Sequence, residues 1–207
     1  MKRSTLIARQ GRRPSGLLGE IVARIMARET HAANLVALDM LNLVSADRVL
    51  EVGFGHGRTL AAAAEIVTRG RLAGVDPSRV MMGVARRRNA AALRSGKMDL
   101  HLGTSERLPF DAGAFNKVYA VHTIYFWAEP ARDLAEMRRV LAPGGRLLLG
   151  FRSSEDAGFV RDFPPEIYHI RSAAEVEDAV RRAGFSDVRL TPVQLGVSTL
   201  WFVTGSN

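Results

Sequence analysis

A short apolar segment, Val49-Leu50-Glu51-Val52, runs directly into three glycines at alternating positions, Gly53, Gly55 and Gly57. An Ala-rich stretch of helical character, Thr59–Thr68, follows at once. A buried strand that ends in a side-chain-free turn and opens a helix is a strand–loop–helix unit, and such units assemble parallel sheets.

The rest of the chain repeats the alternation. Arg71–Val75 reads as a second strand, and Ser78 as the N-cap of a helix running to about Ser95. Met98–Leu102 and Ala114–Val121 read as the third and fourth strands. Pro130–Leu141 is helical and stops at Pro143-Gly144-Gly145, ahead of a fifth strand over Arg146–Phe151. Ser172–Ala183 is a helix, and Asp187–Thr191 and Thr199–Thr204 are closely spaced strands that pair antiparallel. Alternating strands and helices predict an α/β fold: a seven-stranded, mostly parallel sheet with helices on both faces and an antiparallel C-terminal edge.

Ahead of this core, apolar residues recur at helical spacing from Leu17 to Leu43, with a break near Glu29–Ala33. Residues 1–15 are polar and Arg-rich, a tail expected to be mobile until something docks there. At 207 residues, the expected organisation is one domain, residues 1–207. Within it, residues 1–45 form an N-terminal helical extension and residues 46–207 the core.

Composition removes several chemistries. There is no cysteine, which excludes disulfides, thiolate metal sites and a catalytic thiol. The five histidines (31, 56, 101, 122 and 169) show no ligand spacing, so no metal is expected. No apolar run reaches membrane-spanning length, and no apolar segment follows the basic N-terminus as in a signal peptide. The plain reading is cytoplasmic. The formal charge is +8, concentrated in residues 1–31 and 79–97. Nucleic acid is an alternative partner, but no aromatics interleave with these charges, so solvated helix faces are the favoured reading.

The loop also says something about its ligand. A dinucleotide fingerprint needs Gly or Ala three residues after the second glycine, where this chain has Arg58. Glu51 stands two residues before the first glycine. An acid there repels a pyrophosphate and suits a cationic amino group. Asp76 closes the second strand, where a carboxylate can accept from both ribose hydroxyls.

These pieces, VLEVGFGHG (49–57), GVDPS (74–78), LPFDAGAFNKVYAV (108–121) and RRVLAPGGRLLL (138–149), resemble the class I S-adenosylmethionine (SAM)-dependent methyltransferases. Among these the chain looks closest to the quinone-biosynthesis-like small-molecule group. The resemblance implies a Rossmann-like core with SAM as cofactor and S-adenosylhomocysteine (SAH) as product. It implies that Glu51 and the Gly53-Phe54-Gly55-His56-Gly57 backbone contact the methionyl moiety, and that Asp76 holds the ribose. Pro77 and Met81 would flank the adenine, with Thr104, Ser105 and Glu106 along its edge. An Asp often stands in this group where this chain has Thr104. His122 and Tyr125 would border the transferable methyl.

His122 has three readings: general base, polar wall, or ligand of the cofactor's carboxylate. Tyr125-Phe126-Trp127 reads as an aromatic substrate wall or as packing. The substrate chamber is expected from Ser15–Met26, His122–Glu129 and an irregular segment, Ser153–His169, with the N-terminal segment as a lid. The expected activity is methyl transfer to a small-molecule O, N, S or C nucleophile by in-line displacement. RNA or protein methylation through the basic N-terminus and a non-catalytic SAM-binding regulator are the alternatives. A homodimer is one of the oligomeric states left open.

Overall fold

The computed structural model describes residues 5–12, 14–16 and 30–207. The helical pattern read over residues 17–29 lies outside them. The elements in chain order are α1 (Thr5–Arg12), α2 (His31–Leu41), β1 (Arg48–Val52), α3 (Arg58–Ile66), β2 (Arg71–Asp76), α4 (Arg79–Arg88), α5 (Ala90–Arg94), β3 (Met98–Leu102) and β4 (Phe115–Val121). A 3-10 turn (Ile124–Phe126), α6 (Pro130–Val140), β5 (Leu141–Phe151), α7 (Ala157–Asp162), α8 (Ala173–Arg182), β6 (Ser186–Leu195) and β7 (Ser198–Ser206) complete it.

The seven strands form one sheet in the order β3-β2-β1-β4-β5-β7-β6. β1 to β5 pair in parallel, and β7 pairs antiparallel with both β5 and β6. The order reverses at β1, whose neighbours are β2 and β4. Parallel sheets open a crevice at such a reversal, beyond the carboxyl ends of the strands.

Strand side chains alternate between two buried layers, as the pleat requires. Leu50, Val52, Val118, Ala120, Leu147 and Leu149 face Leu134, Met137, Val176 and Val180 of α6 and α8. Val49, Tyr119, Val121, Leu148 and Phe202 face α2, α3 and α4 through Ala37, Leu41, Leu60, Ala63 and Ala85. Burying each large aliphatic side chain contributes about 1.5–3 kcal/mol, so both sheet faces are committed. The helix starts follow their sequence signals. Ser78 caps α4 by accepting from Met81 N (3.2 Å), and Ser172 with Glu175 forms a capping box on α8.

Four local expectations are revised. The helix after Ser78 does not run unbroken to Ser95. It breaks at Asn89, whose buried side chain donates to the carbonyls of Ala85 and Gly57 (both 3.0 Å) and so competes with the helical ladder. The tail before residue 15 contains α1, with Ala8 buried. Ser153–His169 contains α7, capped by Asp156, and an aromatic cluster of Phe159, Phe163 and Tyr168. The last two strands extend to 10 and 9 residues as one long hairpin, with β7 inside and β6 outermost.

Candidate functional site

A cavity of about 620 Å³ opens at the carboxyl ends of β1, β2 and β4, where the strand order reverses. Its floor is the β1–α3 loop. Gly53 sits at φ +81°, donates its N–H to the Val75 carbonyl (2.7 Å), and has the Thr123 methyl 2.2 Å from where a Cβ would lie. Only glycine combines that backbone with that contact.

Asp76 ties the loop to the end of β2. Its Oδ2 accepts from Gly55 N (2.9 Å) and its Oδ1 from Ser78 N (2.8 Å). Both its neighbours Val75 and Pro77 and the side chain of Met81 reach the cavity wall. One carboxylate thus sets the loop and the start of α4 together.

Glu51 sits elsewhere than the sequence suggests. Alternation along β1 turns its side chain to the α3 face, opposite Tyr119, and it does not line the cavity. It is buried, its Oε2 has no hydrogen-bond partner, and burial pushes its pKa up to about 8. The nearby Tyr119 and Thr59 hydroxyls lower it and the Asp76 charge raises it again. At neutral pH the carboxyl is therefore largely protonated, so the argument from a fixed anion facing a cationic ligand loses its premise.

The other loop residues divide. Phe54 borders the cavity while its ring packs in the α2–α3 layer beside Gly74, and Gly57 packs against Ala85 and Asn89 rather than the cavity. His56 lines the cavity, with Nδ1 accepting from Arg58 N (3.2 Å). Burial, then the Arg88 and Arg58 charges, lower its pKa to about 4, so it is neutral at physiological pH.

Gly103, Thr104, Ser105 and Glu106 form the wall beyond β3. Sequence reasoning missed Asp133, from the first turn of α6, which lies in the same wall. Its Oδ1 accepts from the Ser105 hydroxyl, and its buried Oδ2 has no partner. Burial raises its pKa to about 6. An acid in a first helical turn complements the helix dipole, so nothing in the sequence separates it from an ordinary capping acid.

Beyond β4 the wall is His122, Thr123, Phe126 and Trp127. His122 sits at φ +59°, held by its N–H donating to the Gly150 carbonyl (2.8 Å). Burial and the Arg152 charge lower its pKa to about 4. Tyr125 does not line the cavity. It is buried behind His122, and its hydroxyl accepts from Arg152 N (2.5 Å) and lies 3.1 Å from His122 Nδ1. With its hydrogen on Nε2, neutral His122 accepts the Tyr125 hydroxyl hydrogen at Nδ1; with its hydrogen on Nδ1, it donates to the same oxygen. Arg171 fixes the following loop by donating to the carbonyls of Ile124 (3.2 Å) and Trp127 (2.8 Å).

The amino-terminal side of the cavity is Gly11, Arg12 and Pro14, together with Thr30 and Asn34. The Ser78 hydroxyl donates to the Pro14 carbonyl (2.6 Å), and the Tyr168 hydroxyl crowds Gly11. Phe159, Phe163 and Tyr168 buttress Tyr125 and Phe126 from behind instead of lining the cavity. Of the chamber stretch Ser15–Met26, residues 17–26 lie outside the described residues. Among the described residues no three or more His, Asp or Glu side chains gather in a metal site. None of their helices is long and apolar enough to cross a membrane.

A family profile for a methyltransferase domain matches residues 50–149. The chain is 27% identical to an uncharacterised methyltransferase, YdaC, of Bacillus subtilis, over 81% of this chain and 87% of the relative. It is 37% identical to a demethylmenaquinone methyltransferase of Symbiobacterium thermophilum, over 56% of this chain and 46% of the relative. It spans a third of an uncharacterised Streptomyces fradiae transposon protein, so coverage of its relatives' own lengths ranges widely. Among solved structures, the S-adenosylmethionine-dependent methyltransferase SibL superposes with a TM-score of 0.73 at 25% identity, over 93% of this chain and 60% of that one.

Proposed function

The chain belongs to the class I SAM-dependent methyltransferases, with SAM as its cofactor, and on that premise we propose that it methylates a small-molecule acceptor held at the β4 end of the cavity. The observation that carries this reading is Asp76, a single carboxylate that pins the glycine loop and opens on the cavity at the topological switch.

The residues fit the cofactor. A floor of Gly53 and Gly55 keeps side chains out of the methionyl position. The Asp76 carboxylate lies on the cavity while it accepts from the amides of Gly55 and Ser78, and ribose hydroxyls are donors suited to a carboxylate there. Pro77 and Met81 give the adenine an apolar flank. We assign the methionyl contact to the loop backbone and His56, with Glu51 buried beneath them.

When bound, the cofactor supplies a methyl carbon already activated by its sulfonium. The protein's part is to align the acceptor in line with that carbon and to keep water away. We propose the region up to residue 45 as the lid, a role supported by the seating of Gly11, Arg12 and Pro14 on the cavity. Phe126 and Trp127 offer an apolar wall for the acceptor. In the tautomer with hydrogen on Nε2, neutral His122 suits donation of a hydrogen bond to the acceptor. A proton-removing role is the weaker fit, because burial and the Arg152 charge hold the His122 pKa at about 4.

A volume of about 620 Å³ lies in the range of small-molecule sites, roughly 300–1,000 Å³. Arg86, Arg87 and Arg88 occupy the exposed last turn of α4, where cations complement the helix dipole without needing a polyanion. The test is a screen of small acceptors and of RNA with detection of SAH. Turnover of a small acceptor supports the reading. Salt-sensitive RNA methylation without any small-molecule turnover overturns it in favour of the polyanion reading.

A further inference from the structure

The hydroxyl of Ser78 makes two bonds of different purpose. It accepts from Met81 N (3.2 Å) as the cap of α4, and it donates to the Pro14 carbonyl (2.6 Å). A carbonyl oxygen only accepts, so the hydrogen of this hydroxyl belongs to Pro14. Ser78 is 1% exposed, and this bond joins positions 64 residues apart. The backbone N–H of the same residue donates to Oδ1 of Asp76 (2.8 Å), the carboxylate proposed for the ribose. One buried residue therefore meets the cofactor-holding acid on one side and the amino-terminal region on the other.

The amino-terminal region is also seated at a second place. Ala8 of α1 is 1% exposed and shares a core with Tyr125, Phe159 and Tyr168. At Gly11 the Tyr168 hydroxyl leaves no space for a Cβ. Tyr168 packs in turn on Phe126, with ring centroids 5.0 Å apart, and Phe126 stands at the β4 end of the cavity. Pro14 is held at the other end, by the residue that opens α4 after β2. In the sheet β1 lies between β2 and β4. Gly11, Arg12 and Pro14, which all line the cavity, thus form a strap from its β4 side to its β2 side. The β4-side anchor is packing spread over several side chains. The β2-side anchor is a hydrogen bond from one hydroxyl, and it is the anchor that touches the cofactor site.

We propose that Ser78 is a positioning residue for cofactor exchange: its hydrogen bond to Pro14 latches the amino-terminal strap across bound SAM or SAH, and this bond breaks each time either one enters or leaves. This rests on the reading of the amino-terminal region as a lid over the cofactor. The coupling is reciprocal, as linkage requires. A ligand held by Asp76 steadies Ser78 and the strap it holds, and a latched strap slows the escape of the ligand.

Stopped-flow release of SAH from the full chain, paired with amide hydrogen exchange over α1 and over α4, tests the proposal. In wild type, SAH should slow exchange of the α1 amides. Ser78→Ala should speed SAH release by about 2- to 12-fold, the worth of one neutral hydrogen bond. It should raise α1 exchange in the SAH complex by a similar factor. Ser78→Thr keeps a hydroxyl that can both cap and donate, and it should return both rates to within about twofold of wild type. If Ser78→Ala does not fold, Ser78→Gly, which weakens a helix cap far less, carries the same reading. Loss of the cap alone speeds exchange in α4 and leaves α1 at its wild-type rate, and that pattern overturns the proposal. So does SAH release that loss of the hydroxyl leaves unchanged. Wild type that binds SAH without slowing α1 exchange refutes the lid reading, and wild type that does not bind SAH refutes the cofactor reading, each distinct from failure of the latch.

Discussion

The two sides of the cavity are built differently. On the β1–β2 side, backbone amides and one short carboxylate do the holding: Gly53 N reaches Val75, and Asp76 takes the amides of Gly55 and Ser78. On the β4 side, large buried side chains hold one another: Tyr125 sits between Arg152 and His122, and Arg171 clasps the loop of Phe126 and Trp127. The first arrangement demands particular residue types at particular spacings. The second demands only that aromatic and charged side chains pack, which many sequences achieve. The cofactor side is therefore fixed in kind, and the acceptor side is free to vary.

If this contrast holds, the largest single loss comes from Asp76. Asp76→Ala removes the acceptor of two backbone amides and the proposed ribose contact. SAH affinity should fall at least 100-fold, and the cofactor-induced rise in Tm should vanish, as three charge-assisted hydrogen bonds at about 1.5–3 kcal/mol each are lost. Retained binding would break the contrast at its strongest point. Gly53→Ala comes next. Its φ of +81° and the Thr123 methyl at 2.2 Å both oppose a Cβ. A cost of about 2–4 kcal/mol in denaturant unfolding is expected, and Thr123→Ser should recover only the steric part.

The same contrast explains what the sequence could disclose. The glycine spacing, Asp76 and the strand–helix alternation were legible because each reflects a local backbone requirement. Glu51 was expected at the methionyl moiety from the resemblance, and the face its side chain takes was not legible because it depends on the pleat of β1, which turns it toward the α3 layer. Asp133 was invisible because it meets Ser105 across 28 residues. Tyr125, Phe126 and Trp127 were read together as a substrate wall or as packing, and the 3-10 turn over Ile124–Phe126 divides them, with Phe126 on the cavity and Tyr125 behind it. Asn89 broke a helix through contacts to the loop that no local propensity encodes.

Glu51 offers a pH test of the cofactor side. Its carboxyl titrates near 4.5 when unfolded and about 8 when folded. Between those values the folded chain keeps a proton that the unfolded chain has lost. The stabilisation is present below about pH 4.5 and is lost as pH rises through 8. Glu51→Gln stays neutral throughout. It should remove a decline on the order of 2–4 kcal/mol between pH 5 and 8.5, read by urea unfolding. His56 and His122 act in the opposite sense. Their folded pKa values of about 4 lie below the usual 6.5, so stability falls as pH drops from 6.5 toward 4. An unchanged pH slope in Glu51→Gln would mean the carboxyl is ionised in the folded chain and belongs with the ligand-holding groups after all.

The smallest expected effect is on the acceptor side and separates two roles for His122. A general base contributes roughly 10²–10⁴-fold to turnover, and no glutamine replaces it. A neutral donor through Nε2–H is a different matter, because a glutamine amide places an N–H at a similar reach. His122→Gln should therefore keep turnover within about fivefold of wild type and lose stability by about 1 kcal/mol for a branchless side chain at φ +59°. Tyr125→Phe sharpens the point. Without the hydroxyl, Nδ1 loses its partner and the Nδ1–H tautomer gains population. A donor role through Nε2–H then loses competent population, whereas a base role, which needs Nε2 free of hydrogen, gains. The sign of the change in kcat, measured at pH 7.5 where His122 is neutral in both proteins, decides which of the two the β4 side supplies.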